Sequence, residues 1–190
     1  YTSGSISSYR LDKNGIPIKM TDFIQHEKES ESAPTESGRN PIRQEGPHVH
    51  FSGVMGQRIF VVDLGLDKVF VYDRDNVSES LRDTGRYLAF PAGAGPRHLA
   101  FHPRASVIYA ACELDNKLAV FREKEGEYVL ESMLPTLPES YMGENTAAAI
   151  RIWNNLLMVS NRGHDSIAVY SLKEDGSATL EQIIPTGGKV

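Results

Sequence analysis

A pattern that recurs at a fixed step constrains the fold of this chain more than any other feature. Residues 63–72 read DLGLDKVFVY, residues 112–121 read CELDNKLAVF, and residues 161–170 read NRGHDSIAVY. The aromatic residues that close the three copies follow one another at steps of 49: Tyr72, Phe121 and Tyr170. A fixed step indicates a repeat architecture, in which each unit buries its apolar face against the next.

Each copy has the same order of strands and turns. In the first copy an apolar strand at 58–64 leads through a polar turn into an alternating strand at 68–74. A further strand precedes this pair at 48–54, and another follows at 85–90. Period-2 alternation between regularly spaced turns predicts antiparallel hairpins. Four strands in 40–50 residues form one blade of a β-propeller. We therefore predict an all-β propeller fold. A β-sandwich is the structural alternative, but it does not require a fixed step.

The repeats define a single partial propeller domain over residues 1–190. Its predicted parts are a blade tail, a polar loop and three blade repeats: 1–26, 27–45, and approximately 46–94, 95–143 and 144–190. These parts amount to three to four blades, whereas a propeller closes its ring with four to eight. We expect the remaining blades of a parent propeller, or self-association through the open strand edges, to complete the ring.

Composition excludes several classes of partner and site. The net charge of −5 provides no basic surface for nucleic acid, and no apolar run approaches the roughly 18 residues that a membrane span needs. The single cysteine, Cys112, excludes an internal disulfide and fits a cytoplasmic location. HExxH and GxSxG motifs are absent from the sequence. We therefore expect no metal site and no nucleophilic serine.

Charged side chains occupy two equivalent positions of the repeats. His50 and Arg97 stand where the innermost strands begin, and Glu113 and Arg162 follow the second strands. Asp63 is close to the same position as Glu113. Because equivalent positions of successive blades surround one axis, we expect these side chains to gather at one mouth of the central channel.

Five segments of the chain, taken in their order and spacing, resemble the lactonase family of seven-bladed propellers. That family includes bacterial propeller-type 6-phosphogluconolactonases and fungal carboxy-cis,cis-muconate cyclases. The resemblance implies a seven-bladed ring, an active site at one mouth of its channel, no metal or cofactor, and a small-molecule lactone or lactone-forming acid as substrate. It extends across essentially all 190 residues, and its segments are GPHVHF (46–51), DLGLDKVFVYD (63–73), GPRHLAFHP (95–103), CELDNKLAVF (112–121) and SNRGHDSIAVY (160–170).

The resemblance also implies roles for individual residues. The family histidine of a PHxH motif falls on His48 or His50, and we prefer His50 because it corresponds to Arg97 of the next repeat. The implied catalytic residues are His50, Arg97, Glu113 and Arg162. The implied substrate-binding residues are His48, His98 and Asp63.

These residue types suit the opening of a lactone. The reaction needs a base for water, donors for the developing oxyanion, and a holder for an anionic substituent. We expect Glu113 or His50 to be the base, and Arg97 and Arg162 to be the donors. The predicted reaction is hydrolysis of a sugar lactone, and the leading candidate substrate is 6-phosphogluconolactone. A carboxy-muconate cyclase or isomerase is one alternative, and a propeller that only binds a partner is another.

Simpler roles stay open for several of these side chains. An arginine at a strand start can tie blades together through carbonyl oxygens. Glu113 and Asp63 at strand ends can cap turns, as acidic side chains often do. His98 and His102 flank a core strand, and we expect both to bond a neighbouring blade.

Overall fold

The computed structural model of the chain describes residues 2–28, 39–75 and 77–190. Within these ranges the chain forms fourteen β-strands and no helix. The first two strands pair as an antiparallel hairpin, β1 (Ser5–Leu11) with β2 (Pro17–Gln25). The other twelve strands form three four-stranded antiparallel sheets. This arrangement confirms the predicted all-β fold of four-stranded blades.

Each repeat supplies one sheet, in which the strands lie side by side in chain order. The first sheet contains β3 (Val49–Met55), β4 (Arg58–Asp63), β5 (Lys68–Arg74) and β6 (Leu81–Ala89). The second contains β7 (Pro96–Phe101), β8 (Val107–Cys112), β9 (Lys117–Lys124) and β10 (Glu127–Pro135). The third contains β11 (Thr146–Trp153), β12 (Leu156–Arg162), β13 (Ser166–Leu172) and β14 (Ala178–Pro185).

The core consists of two apolar layers, one between each pair of neighbouring sheets. Phe60 and Val71 of the first sheet meet Phe121 of the second in one layer. Tyr109 of the second sheet meets Leu157 of the third in the other. Because the second sheet is covered on both faces, every residue of β8 is buried. The first strands of neighbouring sheets also contact each other, β3 with β7 and β7 with β11.

A β-bulge recurs in the fourth strand of each sheet. In the first sheet the register shifts between Val71 and Tyr72 of β5, so Thr84 and Gly85 of β6 have no paired residue in β5. Gly85 has a φ of 69°, which a glycine adopts without steric cost. The ladder therefore continues through the bulge, and β6 begins at Leu81, earlier than the alternation predicted. The second and third sheets have shifts at the equivalent place.

Buried hydroxyl and imidazole groups tie neighbouring sheets together. The Tyr170 hydroxyl donates to the carbonyl oxygen of Pro135 at 2.6 Å. His102 lies 3.1 Å through Nε2 from the carbonyl oxygen of Lys173, and its Nδ1 accepts the backbone N–H of Ala105 at 2.7 Å. His102 therefore bonds the neighbouring blade, as the sequence predicted.

Candidate active site

Two bulges in the innermost strands set the positions of His50 and Arg97. In β3 the register passes from Val49 to Phe51, so His50 has no paired residue in β4. In β7 it passes from Pro96 to His98, so Arg97 has no paired residue in β8. A bulged residue leaves the regular alternation, so its side chain points away from the direction the pleat would give it. The shared register also makes His50 the structural equivalent of Arg97, which is the correspondence on which the preference for His50 over His48 rests.

Glu113 is the centre of the cluster. It directly follows β8, its backbone N–H donates to the carbonyl oxygen of Gly95 at 2.7 Å, and its side chain is 4% exposed. Three guanidinium groups converge on its carboxylate. Arg97 Nε lies 2.8 Å and Arg162 Nη2 lies 3.2 Å from Oε2, while Arg43 Nη2 donates to Oε1 at 2.5 Å. The structure thus brings together Arg97, Glu113 and Arg162, and it adds Arg43.

The surrounding charges determine the protonation of the cluster. Burial by itself raises the pKa of Glu113. The hydrogen bond from Arg43 and the positive charges of Arg43, Arg162 and Arg97 outweigh this effect and hold the pKa below its ordinary value. Glu113 is therefore a carboxylate that accepts a hydrogen bond from Arg43 and forms ion pairs with Arg97 and Arg162.

His50 and His98 are neutral imidazoles next to this carboxylate. Burial and the charge of Arg97 lower the pKa of His50, and the charge of Glu113 opposes them. Burial and the same arginine lower the pKa of His98 to about 4. The two rings stand edge to face with centroids 5.2 Å apart, and Arg97 Nη1 lies 3.3 Å from His98 Nε2. A neutral imidazole can accept a proton at pH 7, which an imidazolium cannot do.

The structure places Asp63 outside the cluster. Its side chain is 0% exposed; Oδ1 accepts the backbone N–H groups of His48, Gly65 and Leu66, and Oδ2 lies 2.7 Å from His26 Nδ1. Asp63 ends β4 as Cys112 ends β8, so it stands one residue before the equivalent of Glu113. A one-residue offset in a strand turns the side chain to the other face. Asp63 therefore caps a turn away from the cluster, and its role as a substrate-binding residue stays a prediction.

His48 is also directed elsewhere. Its side chain is buried, and its Nε2 lies 2.9 Å from Glu45 Oε1. Its backbone is fixed by the bonds of the strand start: the N–H donates to Asp63 Oδ1, and the carbonyl oxygen accepts the N–H of Leu64. His98, by contrast, borders the cluster through Arg97 and His50.

Arg43 is the residue that sequence reasoning missed. It lies in the segment predicted as a polar surface loop, 27–45, of which residues 29–38 lie outside the described residues. Residues 39–45 pack against the turn between β4 and β5, where Gln44 Nε2 donates to the carbonyl oxygen of Leu64 at 2.9 Å. The segment has no counterpart in the repeats, so no equivalence could indicate its role. The one sequence feature that could have indicated Arg43 is its position three residues before the segment GPHVHF (46–51).

A pocket of about 590 Å³ opens beside the cluster. Arg43 and Arg162 both line it, together with Leu114, Glu144 and Asn145. Among residues 2–28, 39–75 and 77–190, no group of three or more His, Cys, Asp or Glu side chains could hold a metal ion. The arrangement offers guanidinium donors, two of which line a polar pocket, a carboxylate that pairs with them, and neutral imidazoles beside Arg97.

The chain matches one family and several known proteins over most of its length. The family model described as "Lactonase, 7-bladed beta-propeller" matches residues 1–190. A 6-phosphogluconolactonase of Bacillus subtilis is 34% identical over 167 residues, which cover 84% of this chain and 46% of that protein. An uncharacterized protein of Lactococcus lactis is also 34% identical, over 93% of this chain and 50% of its own length.

Solved structures share the architecture. A protein from Lactobacillus plantarum superposes on all of this chain and 53% of its own, with a TM-score of 0.86 and 33% identity. A periplasmic gluconolactonase of Pseudomonas aeruginosa superposes on 98% of this chain and 52% of its own, with a TM-score of 0.84 and 25% identity. The chain thus spans about half the length of the curated relatives it matches. In the described part of the chain, no helix is long and apolar enough to cross a membrane.

Proposed function

The chain belongs to the lactonase family of seven-bladed β-propellers, and on this premise we propose that the whole protein hydrolyses a sugar lactone, with 6-phosphogluconolactone giving 6-phosphogluconate as the leading reaction. One observation carries the proposal: three guanidinium groups surround the Glu113 carboxylate next to a neutral imidazole and an open pocket. The names of a Bacillus subtilis and a Pseudomonas aeruginosa relative support the same reaction class.

His50 is the proposed general base. Its lowered pKa keeps it neutral at pH 7, so it can take a proton from the attacking water. Glu113 is a poor base by comparison, because protonating it would remove the partner of three arginines. We therefore assign Glu113 to holding the arginines in place.

The proposed reaction proceeds in two steps. Water attacks the lactone carbonyl carbon while His50 takes one of its protons, and the carbonyl oxygen becomes an oxyanion. Arg97, whose side chain is 16% exposed, donates to this oxyanion. Collapse of the intermediate breaks the bond to the ring oxygen, which receives the proton from the His50 imidazolium. The product is a hydroxy acid, and His50 is neutral again.

Substitution of the cluster in the whole protein tests the proposal. Arg97→Ala and Glu113→Ala are each expected to lower kcat/KM for 6-phosphogluconolactone by about 100-fold or more. Arg86→Ala is the control, because Arg86 lies on β6, is exposed, and pairs with Glu127 at 3.2 Å. Unchanged rates in the two folded cluster variants would discard the site. Turnover of carboxymuconate in place of a sugar lactone would favour the cyclase alternative.

We further propose that the remaining blades of the parent propeller cover the outer faces of this half and put the cluster at the mouth of a closed channel. Large apolar side chains are exposed on β1 and β2, among them Tyr9, Leu11 and Phe23. Small-angle scattering by the whole protein is expected to give the radius of gyration of a closed ring; an elongated particle would contradict this.

The cytoplasm remains the proposed location. The free thiol of Cys112 fits a reducing compartment, whereas the Pseudomonas aeruginosa relative is periplasmic. Fractionation of cells followed by detection of the whole protein decides between the two compartments.

A further inference from the structure

Residues 40–44, which include Arg43, form a hydrogen-bonded turn. The Asn40 side chain oxygen accepts the backbone N–H groups of Ile42 at 3.1 Å and Arg43 at 3.0 Å. The backbone N–H of Asn40 donates to Gln44 Oε1 at 2.9 Å, and the N–H of Gln44 donates back to the carbonyl oxygen of Asn40 at 2.9 Å. These four bonds fix the direction in which the turn presents Arg43.

The same turn is fastened to the first sheet. Gln44, which is buried, donates through Nε2 to the carbonyl oxygen of Leu64. Arg39 Nη2 donates to the carbonyl oxygen of Leu66 at 3.3 Å. Gly65 lies so close to Gly46 that a Cβ at position 65 would overlap the Gly46 carbonyl oxygen. Arg43 is therefore held on a fixed support, although it lies outside the blade repeats.

Among the described residues that line the pocket, two are basic and one is acidic. The two basic residues, Arg43 and Arg162, both pair with the carboxylate of Glu113. Arg43 and Arg162 line the pocket with side chains that are 37% and 36% exposed. Glu144 also borders the pocket and lowers its positive charge in part. Guanidinium groups bind phosphate and carboxylate groups through paired N–H donors, and two of them line this pocket.

We propose that the pocket lined by Arg43 and Arg162 is the subsite for an anionic substituent of the substrate, and that this substituent is a phosphate. Arg43 determines the specificity for the phosphate group. Arg97 remains at the reacting carbonyl, while Arg43 and Arg162 hold the distant charged end. The inference rests on the proposed lactonase activity for the identity of the substrate, but not for the binding of the anion.

The experiment uses the whole protein with inorganic phosphate as the binding probe and two lactones as substrates, one phosphorylated and one not. Arg43→Gln is expected to weaken phosphate binding by about tenfold or more and to raise KM for 6-phosphogluconolactone by a similar factor. Its kcat/KM is expected to fall about tenfold more for 6-phosphogluconolactone than for the unphosphorylated gluconolactone, because only the phosphorylated lactone has the group that the subsite binds. Arg43→Lys keeps the charge and is expected to lose less than Arg43→Gln.

Arg104→Gln is the control. Arg104 is also an arginine, but its side chain is exposed, its Nη2 lies 3.5 Å from Glu174 Oε1, and it does not line the pocket. It is expected to bind phosphate like the wild type. Acetate, titrated in parallel, shows whether the subsite prefers phosphate to a carboxylate; tighter binding of acetate would overturn the choice of phosphate.

Two results would overturn the subsite itself. One is the absence of phosphate binding to the wild-type protein. The other is an equal loss of kcat for both lactones in Arg43→Gln with phosphate affinity unchanged, since Arg43 would then act only by ordering Glu113. If neither lactone is turned over but Arg43→Gln still loses phosphate binding, the lactonase proposal fails while the anion subsite stands.

Discussion

Arg43 and Glu113 are 70 positions apart in the sequence, yet Arg43 Nη2 donates to Glu113 Oε1 at 2.5 Å. This bond joins a turn outside the repeats to the end of the most deeply buried strand, β8. Arg97 and Arg162 form ion pairs with the other carboxylate oxygen, so one acidic side chain pairs with three basic ones. The stability and the chemistry of the cluster therefore depend on the same carboxylate.

Glu113→Gln should destabilise the whole protein by about 2 to 3 kcal/mol, because three guanidinium groups would lose the buried negative charge on which they converge. The cost stays below that of a fully buried pair, since Arg43 and Arg162 are partly exposed. Urea unfolding measures the change. Glu131→Gln is the control: Glu131 pairs with Arg122 at 3.0 Å on the surface, so its cost should stay under about 1 kcal/mol. Equal losses in the two variants would contradict the central role of Glu113.

The dependence of kcat/KM on pH distinguishes the two candidate bases. A protonated base cannot accept a proton, so the rate falls as the pH drops through its pKa. The pKa of His50 lies below its ordinary value of 6.5, whereas that of Glu113 lies below 4.5. With His50 as base, the acidic limb should be centred below pH 6.5 and disappear in His50→Gln, with a loss of about 100-fold or more at neutral pH. An acidic limb that persists unchanged in His50→Gln would point to another base. The spontaneous hydrolysis of the lactone is subtracted at each pH.

Tyr170→Phe should lower the free energy of unfolding by about 1 to 2 kcal/mol, because the carbonyl oxygen of Pro135 loses a buried donor. Tyr87→Phe is the matched control, since Tyr87 is half-exposed and its ring keeps Lys68 over it at 4.5 Å. The measurement is urea unfolding of both variants. A cost for Tyr170→Phe no larger than that of the control would show that this bond does not tie the second and third sheets together.

Asp63→Asn should damage stability more than catalysis. Asp63 accepts three backbone N–H groups and contacts His26, so we expect a loss of about 2 kcal/mol. For the folded fraction, kcat/KM should change by less than about tenfold, in contrast to Glu113→Ala. Asp73→Asn, which loses only an exposed pair with Arg82, controls for the charge change. A full loss of activity in folded Asp63→Asn would restore Asp63 to the site.

The repeat determined the fold and part of the cluster. Strand alternation and turn residues act over a few neighbouring positions, so a strictly repeated pattern indicates repeated sheets. The 49-residue step also identifies Glu113 and Arg162 as equivalent, and the register of β3 and β7 does the same for His50 and Arg97. Residues that share a position in stacked sheets must lie on the same side, which is why these four could be predicted to be neighbours.

The tertiary structure alone decided two things: the role of a segment that lies outside the repeats, and the direction of a side chain that differs by one residue in register. Arg43 reaches Glu113 because the turn at 40–44 packs onto the first sheet, and no local pattern describes a contact between such distant segments. Asp63 turns away from the cluster because it stands one residue short of the position of Glu113, and the pleat reverses side chains at each step. The sequence alone thus determined the sheets and their shared positions. Long-range packing, which local pattern does not encode, decided which charged side chains meet.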